Sequence, residues 1–112
     1  MGNQPTHFRA HERRSVRLDA LVRHDPAAWV REARVVDLSP AGACLAVAEP
    51  IEKDARLILE ILAPTLWDPL VLRGLAIWCG HHEKGSVRVG ITFVHDNPEA
   101  LFGLFEVLGA RT

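Results

Sequence analysis

The chain lacks most of the features that mark secreted, disulfide-stabilised or membrane-spanning proteins. Its 112 residues contain two cysteines, Cys44 and Cys79, and two cysteines without a secretory context are more often buried thiols than a disulfide. No apolar run approaches the roughly 20 residues that a membrane-spanning helix needs. The polar segment 1–6 leads into charged residues and not into the apolar core of a signal peptide. We therefore expect a cytoplasmic protein without a membrane span.

Sequence signatures of catalysis and of metal binding are also missing. There is no glycine-rich phosphate loop, no Gly-x-Ser-x-Gly segment and no pair of carboxylates at a catalytic spacing, and Ser39 has no evident base. The histidines show no spacing typical of metal ligands; they are His7, His11, His24, His81, His82 and His95. We expect neither an enzyme nor a metal protein. A nucleotide hydrolase built on this chain would need a base or a metal site that the sequence does not offer.

The composition is that of a globular protein, with 48% hydrophobic and 24% charged residues, and the length fits one domain. The net charge of −1 hides an asymmetry. Residues 1–34 hold seven arginines against four acids, whereas the remaining residues hold six basic against ten acidic side chains. A basic patch of this size suits a small polyanion better than a duplex, which usually draws on about 6–10 phosphate contacts. We expect no nucleic-acid partner.

Six segments alternate apolar and polar residues with a period of two, which is typical of half-buried strands. Prolines bound a loop from Ala63 to Pro69, since two prolines five residues apart do not fit a central strand. Short strands with regularly spaced turns predict an all-β fold, a closed or nearly closed antiparallel barrel. The predicted strands are Val16 to Arg23, Val30 to Asp37, Ala43 to Val47, Arg56 to Ile61, Leu70 to Cys79 with Trp78 near its end, and Val87 to Phe93.

The periodicity changes to that of a helix at the end of the chain. Asn97 is a good N-cap, Pro98 fits the first helical position and Glu99 complements the helix dipole. We predict a C-terminal α-helix that covers the barrel with a stripe of Leu101, Leu104, Phe105 and Leu108. Phe102 and Val107 lie off that stripe, so they contact the loops or form an interface.

Two short segments carry most of the functional information: Arg13-Arg14-Ser15-Val16-Arg17, and the turn from Asp37 to Gly42 some twenty residues later. Arginine pairs bidentately with phosphate, binds the O6 and N7 edge of guanine and stacks on purines. The Asp37 carboxylate accepts hydrogen bonds from guanine N1 and N2. Ser39 can bond to the base or to the turn's own backbone, and Gly42 allows either a positive φ or a close approach. Together they predict a site for an anionic guanine nucleotide.

These motifs resemble those of the PilZ domain, the bacterial receptor module for cyclic di-GMP. The resemblance covers roughly residues 12–108 and includes the Arg-x-x-x-Arg and Asp-x-Ser-x-x-Gly motifs, the tryptophan of strand five and a Val-Gly-Ile-Thr-Phe strand. It implies a six-stranded antiparallel barrel with a C-terminal helix, with the arginines across its mouth. It also implies cyclic di-GMP as ligand and no cofactor. Matching positions are Arg13, Arg14 and Arg17, then Asp37, Ser39 and Gly42. Trp78, near the mouth, is either a rim or core aromatic residue or a platform on which a base stacks.

The resemblance leads to a hypothesis of a cyclic di-GMP receptor that changes conformation and signals to a separate effector protein, in bacterial motility or biofilm control. We divide the chain into a flexible arm, residues 1–15, and one barrel domain, residues 16–112. We expect a monomer, and the exposed helix residues leave a weak dimer open. The alternative is a PilZ-like adaptor in pilus or motility machinery that acts by protein contact without the nucleotide.

Overall fold

The computed structural model describes residues 14–24, 29–81 and 85–109. The segment 1–13, with Arg13 and most of the predicted arm, lies outside the described residues, as does His82. Six strands are followed by one helix: β1 (Arg14–His24), β2 (Val30–Leu38), β3 (Gly42–Val47), β4 (Arg56–Leu62), β5 (Leu70–His81), β6 (Val87–Val94) and α1 (Pro98–Gly109).

The strands form a closed barrel in the order β1-β2-β3-β6-β5-β4, and every neighbouring pair is antiparallel. Pairing of β1 with β4, which brings Val22 opposite Leu59, completes the ring. Closure leaves no unpaired strand edge in the sheet. The predicted antiparallel barrel with a C-terminal helix is therefore confirmed.

Alternate residues of each strand fill the barrel, as the period of two requires. Val22, Val35, Leu45 and Val89 are among the fully buried side chains. Leu104 of α1 belongs to the same core cluster, so the helix packs onto the barrel and does not stand apart from it. The turn between β2 and β3 lies at the end of the barrel where β6 finishes, since Gly42 pairs with Thr92.

The helix begins as predicted, because the backbone N–H of Glu99 donates to Asn97 Oδ1 at 3.0 Å. Its buried face differs from the predicted stripe. Val107 is buried with Leu104 and Leu108, while Phe105 is half exposed. The helix is apolar on more than one side, so its periodicity alone does not determine which side is buried. The contacts with the barrel determine it.

Strand β5 is longer than predicted and runs to His81, so Trp78 does not close it. The register shifts between Ala76 and Trp78, which marks a bulge at this point. Both cysteines are free thiols, Cys44 buried and Cys79 exposed. Within the described ranges no helix is long and apolar enough to cross a lipid bilayer.

Candidate functional site

The turn from Ser39 to Gly42 is held by its own serine. The Ser39 hydroxyl oxygen accepts hydrogen bonds from the backbone N–H groups of Ala41, at 3.1 Å, and Gly42, at 3.2 Å. The Ser39 N–H donates to the Gly42 carbonyl at 2.9 Å. Only 6% of Ser39 is exposed. Of its two predicted roles, the structure therefore places Ser39 in the turn's backbone network, where it fixes the shape of the loop after Asp37.

Glycine is needed at position 42 because β3 and β6 lie very close together there, and not because the backbone has a positive φ. A Cβ atom at this position would overlap the carbonyl oxygen of Ile91 on β6. Positive φ angles occur elsewhere among the described residues, at Asp54 and Gly85. Because the obstacle is backbone, it cannot move aside as a flexible side chain would, so the start of β3 can lie this close to β6 only with glycine.

Strand β6 anchors the same turn through two further hydrogen bonds. The Phe93 N–H donates to the Ala41 carbonyl at 2.8 Å. The His95 ring nitrogen Nε2 lies 2.6 Å from the Pro40 carbonyl oxygen, and since a carbonyl only accepts, Nε2 carries the proton. The His95 ring also packs edge-on against Phe93, with 5.7 Å between the ring centroids. Our sequence analysis considered His95 only as a metal ligand and missed this role.

A row of cross-strand partners connects Asp37 with Trp78 around the barrel. Asp37 pairs with Cys44 on β3, Cys44 with Gly90 on β6, and Gly90 with Trp78 on β5. The adjacent residues Leu45 and Val89 belong to the core. Because successive side chains point to opposite faces of a strand, the row lies on the outer surface of the barrel. The row that joins Asp37 to Trp78 is thus on the wall of the barrel.

The row has larger side chains at its ends and small residues between them. A Cβ atom at Gly90 would overlap the indole ring of Trp78, so the indole lies against the backbone of Gly90. Trp78 is 41% exposed and Cys44 is buried. Three interstrand spacings separate Asp37 from Trp78, a span of about 14 Å along the row. The row thus presents a carboxylate at one end and an aromatic ring at the other.

Asp37 supplies the acceptor. It follows a register shift between Val35 and Asp37 in β2, and its Oδ1 atom is shielded from solvent. The carboxylate is partly buried beside the turn that Ser39 shapes. An ionised carboxylate only accepts hydrogen bonds, so this end of the row suits a ligand edge that carries N–H donors.

The arginine segment enters the site from β1. Arg14 opens this strand opposite Leu38, and Ser15 pairs with Asp37. A register shift between Ser15, which pairs with Asp37, and Leu18, which pairs with Val35, marks a bulge that contains Arg17. Arg17 is exposed and has no ion-pair partner among the described residues. The structure therefore gathers Arg17, Asp37 and the turn on the same part of the wall.

Within the described part of the chain, no three His, Cys, Asp or Glu side chains are placed to hold a metal ion. His24 stacks on Trp29 with 5.2 Å between the ring centroids, and the Arg31 guanidinium lies 4.0 Å from the centroid of that tryptophan. This cluster belongs to the far end of the barrel, where β1 ends and β2 begins.

Comparison with known proteins agrees with this architecture. The family model of the PilZ domain matches residues 7–106. No curated protein gives a significant sequence match. The PilZ domain of YcgR from Escherichia coli, solved with c-di-GMP, superposes with a TM-score of 0.71 at 16% identity, covering 89% of this chain and 91% of that one.

Two further solved structures share the fold. The PilZ domain of CeSA from a cellulose synthesizing bacterium gives a TM-score of 0.70 at 19% identity, over 88% of this chain and 96% of that one. The Bacillus subtilis inhibitor of motility, MotI/DgrA, gives 0.71 at 13% identity over 88% of this chain, which spans only 47% of that protein. At these identities the superpositions establish the fold and nothing about the ligand.

Proposed function

The chain belongs to the PilZ domain family, and on that premise we propose that it is a receptor for cyclic di-GMP and works by binding, without catalysis. The single observation that carries the proposal is the row from Asp37 to Trp78 on the barrel wall, with Arg17 at its edge. It combines a carboxylate, an aromatic ring and an exposed guanidinium. These are the groups that a guanine nucleotide with an anionic backbone needs.

Each residue has a distinct role in this proposal. Asp37 accepts hydrogen bonds from N1 and N2 of one guanine, and Ser39 and Gly42 act indirectly by fixing the turn beside it. Arg13, Arg14 and Arg17 neutralise the phosphates and stack on the purines. Trp78 offers the exposed part of its indole at the far end of the row. Gly90 contributes by being small, because the indole of Trp78 lies against its backbone.

The known structures support the choice of ligand. The PilZ domain of YcgR contains c-di-GMP, as does the Klebsiella protein MrkH, which shares this fold with a TM-score of 0.71 at 14% identity. We propose that residues 1–15 form an arm that closes over the nucleotide, and that the closed form is read by a separate effector protein in the cytoplasm. The fold shared with an inhibitor of motility makes motility the first process to examine.

Calorimetric titration of the purified chain tests the proposal. Cyclic di-GMP should give saturable heat with a dissociation constant of about 10 µM or tighter, since two or three charge-assisted contacts outweigh the ordering of a short arm. Cyclic di-AMP should bind far more weakly, because adenine lacks the N1 and N2 donors that Asp37 requires. GTP, which carries one guanine on a triphosphate, controls for binding through a single guanine nucleotide. Absence of heat and of amide chemical-shift changes at about 100 µM cyclic di-GMP would leave the nucleotide-independent adaptor as the function.

A further inference from the structure

The outward side of α1 is unusually apolar for a helix that only closes a barrel. Leu104, Val107 and Leu108 are buried and account for the attachment of the helix. Phe102 is 73% exposed, and Phe105 is half exposed. Large aromatic side chains in contact with water do not stabilise the fold, and they are enriched where proteins bind one another.

The loop between β4 and β5 adds a third exposed aromatic residue next to the helix. Trp67 is fully exposed. A groove of about 400 Å³ runs between this loop and α1. Its apolar lining comes from Leu66, Trp67, Pro69 and Val71 on one side and from Ala100 and Gly103 on the other. Three of the chain's seven phenylalanine and tryptophan residues therefore lie on two adjacent elements.

The charges of these two elements have one sign. Asp68 in the loop and Glu99 in the helix line the groove, and Glu106 is exposed one turn after Phe102. Neither the loop, residues 63–69, nor α1 contains a lysine or an arginine. We call the loop and the outward side of α1 together the aromatic–acidic face.

We propose that the aromatic–acidic face is a docking site for a protein segment that carries an apolar anchor flanked by lysine or arginine. The groove would take the anchor, and the acidic side chains would attract the flanking cations. A second copy of this chain fits poorly, because a two-fold contact would bring the acidic groups of both copies together. An anionic lipid surface is disfavoured by the same repulsion.

The face shares no residue with the proposed nucleotide site, so this inference goes beyond the proposed function. The β6–α1 connection nevertheless joins the two. His95, which contacts the Pro40 carbonyl, stands two residues before the helix cap Asn97. Docking and nucleotide binding are measured separately, so failure of one does not imply failure of the other.

A random-peptide display selection on the immobilised full chain tests the proposal. Peptides are selected on the parent protein and counter-selected on a Trp67→Ala, Phe102→Ala double variant. The expected peptides have leucine or aromatic anchors with flanking lysine or arginine, and should shift the indole and amide resonances of Trp67 and α1. Their affinity should fall about tenfold or more for the double variant. Val30→Ala, at an exposed apolar position on β2, is the matched control and should change nothing.

The contributions of charge and shape are tested by a second variant. Glu99→Gln with Glu106→Gln should weaken the selected peptides several-fold while the circular dichroism spectrum stays that of the parent. Enrichment of neutral or acidic peptides overturns the proposal. Enrichment of peptides that bind the double variant as tightly as the parent also overturns it. So does a concentration-dependent dimer in sedimentation that Phe102→Ala abolishes, which would assign the face to a second copy. Binding to phosphatidylglycerol vesicles through the same residues would assign it to a membrane and likewise overturns it.

Discussion

At the scale of single residues, Gly90 makes room for the indole of Trp78 on the barrel wall, because any Cβ atom there would overlap the ring. Gly90→Ala should displace the indole outward with little loss of stability, since Trp78 is at the surface. We expect the affinity for cyclic di-GMP to fall about tenfold, which corresponds to ~1.4 kcal/mol. Tryptophan emission should shift in parallel.

Gly80→Ala is the matched control for this variant. It adds the same methyl group to β5, two residues after Trp78, and a Cβ atom there meets nothing within 4 Å. Calorimetry on both variants separates a specific effect from a general one. Equal affinities for Gly90→Ala and the parent would remove Trp78 from the proposed site.

Arg17 is the described arginine best placed to meet a phosphate. It is exposed in the β1 bulge beside Asp37 and pairs with none of the described acids. Arg17→Ala should weaken cyclic di-GMP binding by roughly 1.5–3 kcal/mol, the scale of a hydrogen bond to a charged group. The melting temperature should not change. Arg56→Ala, an exposed arginine of β4, should bind like the parent; if Arg17→Ala does the same, Arg17 is a solvated bystander.

At the scale of elements, His95 joins the turn of the nucleotide site to the start of the helix. Its Nε2 donates to a carbonyl that is 55 residues away in the sequence. His95→Phe keeps a ring against Phe93 but removes this donor, so the turn should loosen. We expect affinity for cyclic di-GMP to fall about two- to tenfold, as for loss of one neutral hydrogen bond.

The conservative variant decides whether that hydrogen bond is the cause. His95→Gln retains an N–H donor and should recover part of the lost affinity. Amide hydrogen exchange at Ala41 and Gly42 should be faster in His95→Phe than in the parent. Unchanged exchange in this variant would mean that Ser39 and Phe93 hold the turn without help.

The elements themselves were largely predictable, because a period of two and the turn residues between segments are local signals. The pairing of β1 with β4 is not local, so the alternation of apolar and polar residues did not predict whether the barrel is closed. The helix start at Asn97 followed from cap chemistry. Cap chemistry could not predict whether Phe105 or Val107 is buried, since both are apolar and only contact with the barrel distinguishes them.

The candidate site was predictable where it consists of a motif. Asp37, Ser39 and Gly42 carry a recognisable turn signature, although only the structure showed that Gly42 is needed for the approach to Ile91. Gly90 escaped notice because its contribution is the absence of bulk at one register position. His95 escaped because its partner is a backbone carbonyl, which has no sequence signature.

At the scale of the whole molecule, the charge distribution separates the two proposed surfaces. Basic residues concentrate in residues 1–34, which include the arginine motif, and the aromatic–acidic face carries only acids. Opposite fields favour different partners, an anionic nucleotide at one place and a cationic protein segment at the other.

We propose that binding becomes a signal through the arm, residues 1–15, which has no apolar stripe and carries three arginines before Ser15. Little buried surface would oppose its disorder in the free protein, and the ligand phosphates would supply the missing contacts. We predict fast backbone amide motion for residues 8–15 without ligand and rigid behaviour at saturation with cyclic di-GMP, measured by nitrogen-15 relaxation. Cyclic di-AMP at the same concentration is the control. An arm already rigid in the free protein, with unchanged relaxation at saturation, would rule out ordering as the signal while leaving the receptor function intact, because a pocket that fills without moving still binds.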